Sequence, residues 1–110
     1  MANQTGILSP ATLKALQSIA AGVSHGFDIM DATGLPSGTV YPILGRLERS
    51  GFVRSRWESQ TVAQRKKRPP RRYYEITASG SRALAAARAH YRALAGGGRG
   101  TRLTPGQQRS

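Results

Sequence analysis

A chain of 110 residues has the size of one domain, and its 17 Lys and Arg against 5 Asp and Glu leave a formal charge of +12, a balance that favours a polyanionic partner and puts nucleic acid first. Without cysteine there is neither a disulfide framework nor a thiolate metal site, and no apolar run approaches the length of a membrane span. The opening MANQTGILSP lacks the charged and apolar regions of a secretory leader, so a cytoplasmic protein is expected.

The charge is unevenly placed. Residues 46 to 72 carry ten basic and two acidic side chains, whereas residues 1 to 45 carry one Lys and two Asp, so one end of the molecule faces the anion. From residue 96 the chain is rich in Gly, polar and basic residues with Leu103 as its one sizeable apolar side chain, a composition expected to form a disordered basic tail over 96–110.

Ser9-Pro10 is a helix start, a capping hydroxyl followed by a proline whose missing N–H is not needed in the first turn. Leu13, Leu16, Ile19, Ala20 and Val23 then recur at helical spacing, predicting a helix from about Pro10 to Ala21 with Gly22 as its left-handed stop. Ser24-His25-Gly26 opens a shorter second helix whose apolar face is Phe27 and Met30, with Ile29 beside them, and Gly34 ends it. Ser37 reads as the N-cap of a third helix, along which Val40, Ile43, Leu44 and Leu47 fall at i, i+3, i+4 and i+7 before Gly51 closes it.

Phe52 to Glu58 alternates in the manner of a strand, with Val53, Ser55 and Trp57 on one side, and RYYEIT from Arg72 to Thr77 is a second strand. Alternation sends one of Tyr73 and Tyr74 inward, and Trp57 reads as core. Between the strands lies a loop ending QRKKRPPR, too long for a tight hairpin and too charged to bury, so it is expected to project. A final alanine-rich helix is predicted from about Ser79 to Leu94, with Leu84, Ala87, Tyr91 and Leu94 at the 3-4-3 spacing of a short coiled-coil seam, expected to be a homodimer interface.

Three helices, a strand, a basic loop, a strand and a helix make an α+β, mainly α, chain in the order of a winged helix-turn-helix. The expected division is a DNA-binding domain over 1–78, a dimerisation helix over 79–95 and the tail. Within it, Gly26 to Gly45 has the form of a helix-turn-helix unit, with Gly34 at the turn and Val40 and Ile43 anchoring the recognition helix inward. A small residue is usual four positions before the turn glycine; Met30 stands there and permits a wider helix crossing.

The opposite face of the third helix presents Ser37, Thr39, Tyr41, Pro42, Gly45, Arg46 and Arg49. Hydroxyls there can bond phosphates or base edges, Arg46 can read guanine, and Tyr41 or Pro42 can touch a thymine methyl. The plainer reading of this face is solvated surface. Pro42 breaks a helix rule that would cost roughly 3 kcal/mol in a regular interior, and a rule broken on an exposed face is easier to explain by docking than by folding. Arg65, Lys66, Lys67, Arg68, Arg71 and Arg72 form the strongest charge cluster, suited to phosphates or the adjacent minor groove; its plainer reading is a solvated loop.

GTVYP, Leu47-Glu48, the Phe52 to Glu58 strand and RPPRRYYEIT together resemble the PadR family of bacterial transcriptional regulators, across about residues 7 to 95. His25-Gly26-Phe27 stands where the family has an HGY-like turn, GTVYP where it has a GTLYP-like recognition helix, and YYEIT where the wing ends in a YY-L-T strand. The resemblance implies a dimeric repressor whose winged domains bind a palindromic operator in double-stranded DNA, with C-terminal helices forming the dimer and, in some members, a small-molecule effector pocket. Two features depart from the family: the segment between the second and third helices is short, and the last helix has no tryptophan for an aromatic drug platform.

His25 and His90 are far apart with no carboxylates at ligand spacing, and Asp28 and Asp31 suit a helix dipole better than a catalytic pair, so no metal, cofactor or catalytic residue is expected and the chain is not read as an enzyme. Two other functions compete. A non-specific architectural nucleic-acid binder would use the loop and the tail but leave the recognition face without a role, and an adaptor would bind an acidic protein with the same basic patch.

Overall fold

The computed structural model describes residues 8–99; residues 1–7 and 100–110, which include most of the expected tail, lie outside them. Seven elements follow one another: α1 (Pro10–Ala20), α2 (Gly26–Thr33), α3 (Ser37–Arg49), β1 (Val53–Trp57), α4 (Gln60–Arg65), β2 (Arg72–Ile76) and α5 (Ala78–Arg99). This is the expected winged helix-turn-helix order with one addition, the short α4 inside the basic loop.

The caps explain where the helices begin and stop. The Ser9 hydroxyl accepts from the Thr12 N–H at 3.2 Å with Pro10 as the first helical residue, so α1 starts as expected. Gly22 and Gly34 adopt φ of 99° and 74°, the left-handed region that costs glycine nothing. At α3 the structure corrects the cap: Pro36, extended at φ −75° and ψ 161°, is the N-cap, and Ser37 is the first helical residue with no side-chain cap bond. The Pro36 carbonyl accepts from Val40 at 3.0 Å. Pro42 therefore lies one residue deeper in the helix than expected, yet α3 continues through it, because the carbonyl that Pro42 cannot bond belongs to the exposed Gly38, within reach of water.

One core joins the helices to the sheet. Leu16 and Ile19 of α1, Ile29 of α2, Val40, Ile43, Leu44 and Leu47 of α3, Val53 of β1 and Leu84 of α5 bury their side chains together. The anchors expected on α3, Val40 and Ile43, thus hold it to the scaffold. β1 and β2 pair antiparallel, with Val53 opposite Ile76 and Trp57 opposite Arg72. The Tyr74 N–H donates to the Ser24 carbonyl at 2.7 Å, which fastens the outer edge of β2 to the turn before α2. Of the two tyrosines, Tyr74 is the one that packs on the core, while Tyr73 sits edge-on to His25 and is half-buried there instead of fully outward.

α5 runs to Arg99, so the division expected at residue 95 falls inside a helix. Glycine weakens a helix by about 1 kcal/mol relative to alanine without breaking it, and the three glycines after Ala95 are tolerated. Near its start, α5 crosses the chain so closely that a Cβ on Gly80 would stand 2.0 Å from the Phe52 carbonyl oxygen and 2.8 Å from the Ile76 side chain. Backbone cannot retreat as a flexible side chain does. Gly80→Ala should therefore destabilise the domain by about 3 kcal/mol despite alanine's higher helix propensity, as overpacking against a fixed neighbour does; urea denaturation will measure it, and an unchanged midpoint would contradict the close crossing.

Candidate nucleic-acid interface

α3 turns its apolar residues inward and leaves a polar face outward. Ser37, Tyr41, Pro42, Arg46 and Arg49 are exposed, while Thr39 and Gly45 are half-buried. Arg46 and Arg49 lie in the last turn, where they offset the partial negative charge of the helix end. Neither is in an ion pair among the described residues, so both guanidinium groups are available to an external anion. Tyr41 folds its ring over Gly26, whose missing Cβ would stand 2.6 Å from the tyrosine oxygen; glycine at the start of α2 is what lets the ring lie there.

The basic loop projects as expected, but it is not structureless. Ser59 caps α4 by accepting from the Val62 N–H at 3.1 Å, and Ala63 is buried beneath it. Lys67 follows in the left-handed region at φ 56°, a conformation that costs a side-chain-bearing residue of order 1 kcal/mol. It closes the helix: its N–H donates to the Gln64 carbonyl at 3.0 Å and that of Arg68 to the Ala63 carbonyl at 3.2 Å. Arg65, Lys66 and Lys67 are exposed and in no ion pair among the described residues.

Arg68 differs from its neighbours. Its guanidinium grips Glu58 with both terminal nitrogens, Nη2 to Oε2 at 2.9 Å, and Glu58 also accepts from the Arg71 N–H and the Tyr73 hydroxyl at 3.3 Å each. The Glu58 side chain is only 7% exposed. The bond from Arg68, aided by the Arg71 N–H and the Tyr73 hydroxyl and opposed by burial, holds its carboxyl down at about 2. A carboxyl depressed in the folded state stabilises it fully above its ordinary value of 4.5, and that contribution is lost as pH falls through about 2. Carbon NMR of Glu58 should give a midpoint near 2, and Glu58→Gln should flatten the stability curve between pH 4.5 and pH 2; a midpoint near 4.5 would mean that the clamp does not form.

Arg72 is also engaged internally. Its guanidinium donates to Ser55 Oγ at 2.8 Å and to both Glu48 oxygens at 3.3 Å, and stacks over Trp57 with its central carbon 5.4 Å from the ring centre. The Ser55 hydroxyl, and after it the Arg72 charge, hold the Glu48 carboxyl below its ordinary value. Glu48 lies on α3 and Arg72 on β2, so this network braces the recognition helix against the wing. Arg71, half-buried at the wing's base, gives Glu58 its backbone N–H, and its guanidinium is in no ion pair among the described residues. The six cations of the sequence motif therefore divide: Arg65, Lys66 and Lys67 face outward, Arg71 borders the sheet, and Arg68 and Arg72 fix the wing.

The seam expected between two copies is largely used within one. Leu84 and Ala87 are 4% and 1% exposed, packed inside the protomer where α5 meets α1. Tyr91 is half-buried and its hydroxyl donates to the Leu8 carbonyl at 2.7 Å. Leu94 alone of the four stands out, at 57% exposure. A 3-4-3 apolar spacing identifies a buried helix face without saying whose surface buries it, and for Leu84 and Ala87 the protomer itself supplies that surface.

Trp57 and Phe27, expected inside, are also outside. Trp57 follows the alternation of β1, but the core ends beneath Val53; Phe27 precedes Ile29 by two residues on α2, about 200° round the helix, and so lies nearly opposite the inward face that Ile29 occupies. Glu58, Glu48 and Ser55 carry no motif that would reveal a clamp. The Ser59 cap before a short apolar pair was the one legible sign of α4. His25 is buried at the start of α2 with Nε2 3.0 Å from Asp28, and no group of three metal-binding side chains occurs among the described residues. Among them, too, no helix is long and apolar enough to cross a membrane.

The model of the transcriptional regulator PadR-like family matches residues 15–86, more than half of the chain. No curated protein matches it. Among solved structures, a PadR-like transcription factor from Bacteroides fragilis is 24% identical over 76% of this chain and 81% of its own, with a TM-score of 0.65. A PadR family transcriptional regulator from Eggerthella lenta is similar at 24% identity, covering 78% of this chain and 75% of its own with a TM-score of 0.66. The smu.1704 protein of Streptococcus mutans gives 22% identity over 81% and 84%, with a TM-score of 0.63. At these identities the likeness to solved structures carries the fold.

Proposed function

The chain belongs to the PadR-like family of transcriptional regulators, whose members are DNA-binding regulators and not enzymes, and from that premise we propose that it acts as a homodimeric repressor on a palindromic operator. The observation that carries this reading is the exposed face of α3, with Tyr41, Pro42, Arg46 and Arg49 outward, beside a wing whose Arg65, Lys66 and Lys67 also face outward. α3 enters the major groove, where Thr39, Tyr41 and Arg46 meet base edges or adjacent phosphates and Ser37 and Arg49 the flanking backbone. The wing reaches neighbouring phosphates or the minor groove, with Arg71 at its base. A second copy joins through α5 beyond its inward residues, around Leu94, with help from α1. Such a protein works in the cytoplasm at the nucleoid, and nothing in the site requires a cofactor.

Selection of bound duplexes from a random pool tests the proposal. A two-fold symmetric motif is expected, since two related subunits read two half-sites; an enriched motif without symmetry would contradict the dimer, and no enrichment would favour the architectural reading. Arg46→Ala should lose about 1 to 3 kcal/mol on that motif and relax one symmetric base position. An equal loss on random DNA would make Arg46 a phosphate contact instead.

A further inference from the structure

Between the start of α2, the outward face of α3 and the base of the wing lies an open cleft of about 450 Å³, lined by Phe27, Tyr41, Trp57, Pro70 and Arg71, with Arg72 at its side. Phe27, Tyr41 and Trp57 are 64%, 50% and 62% exposed, three large rings converging on water next to two arginines. Scattered apolar residues on a surface need no explanation, whereas a group rimmed by charge marks a contact surface. The rings do not move freely: Arg72 holds Trp57 from one side, and Tyr41 is seated over Gly26.

We infer that this cleft holds the DNA sugar-phosphate strand that passes between α3 and the wing, with the deoxyribose faces against Phe27 and Trp57 and a phosphate on Arg71. The inference rests on the proposed docking of α3 and the wing and adds to it an apolar contact. When a helix occupies a major groove and a wing reaches the adjacent minor groove, the strand separating the two grooves crosses the gap between the elements, and in this protein that gap is the aromatic cleft. Deoxyribose presents C–H groups to the rings while its flanking phosphates suit arginine, so an aromatic surface with basic neighbours matches both halves of the strand. Arg72, already committed to Glu48 and Ser55, is a positioning residue that keeps the Trp57 ring upright.

Trp57 is the sole tryptophan of the chain, so its emission reports on the cleft alone. Acrylamide quenching of the full chain is measured with and without a saturating duplex carrying the selected operator, binding being followed separately by the anisotropy of labelled DNA. The expected result is that quenching falls by half or more on binding. Trp57→Ala should weaken operator binding about fivefold without changing its salt dependence, because a ring neutralises no phosphate, and Trp57→Phe should restore most of the loss. Circular dichroism confirms that the variants remain folded. Undiminished quenching at saturating anisotropy overturns the inference while leaving the proposed function intact, and absence of any anisotropy change overturns that function itself. Tighter binding and stronger protection with single-stranded oligonucleotide than with duplex would make the cleft a base-stacking site, and this too would overturn the inference.

Discussion

Leu84→Asp should unfold the domain, whereas Leu94→Asp should leave it folded and act on assembly alone. Leu84 is 4% exposed among core residues from α1, α3 and β1. Removing a buried leucine costs about 2 to 5 kcal/mol, and placing a carboxylate in its site adds a desolvation penalty. Together these approach the whole stability of a small domain, about 5 to 15 kcal/mol. Leu94 has no such surroundings, so a charge there disturbs only what lies outside the protomer. Thermal unfolding followed by circular dichroism, with sedimentation of each variant, will distinguish them. Leu84→Asp should show no cooperative transition, and Leu94→Asp should melt like the parent but sediment as a monomer with weaker operator binding. A folded, monomeric Leu84→Asp would return that residue to the dimer interface.

The second large effect is electrostatic and belongs to the wing. Arg65, Lys66 and Lys67 face outward without ion pairs among the described residues, and each phosphate contact contributes about 0.9 to the magnitude of the salt slope on duplex DNA. Replacing all three with Gln should therefore flatten the plot of log affinity against log salt by about 5 in a dimer, with the rank order of operator variants preserved. Arg68 is kept in this variant, because its removal would leave Glu58 buried without its partner and would loosen the loop as well as discharge it. Titrations at four salt concentrations decide the matter. An unchanged slope makes the loop a bystander, and a reshuffled rank order means that the wing reads bases or groove width.

The order of elements was legible because helical and strand periodicity, glycine stops and a Ser-Pro cap are local signals, and local signals survive folding. Val40 and Ile43 were placed correctly for the same reason. What was not legible depended on partners distant in sequence. Leu84 and Leu94 share one spacing, yet one packs on α1 and the other stands free. Arg65 and Arg68 belong to one basic run, yet only Arg68 lies within reach of Glu58, ten residues earlier. Trp57 obeys the alternation of its strand, but whether an alternating face is covered depends on how far the core extends beneath it. The family resemblance, carried by the GTVYP and YYEIT segments, agreed with the matched family because those segments surround the recognition helix and the wing.

The central claim is that α3 reads sequence while the wing supplies affinity without choice. Its most direct test is the ratio of dissociation constants for the selected operator and a random duplex of equal length, measured at one fixed physiological salt concentration. The account predicts a preference on the order of a thousandfold or more for the operator. A ratio near one, with tight and steeply salt-dependent binding to both duplexes, would contradict it and make the chain an architectural binder that uses the same basic surface.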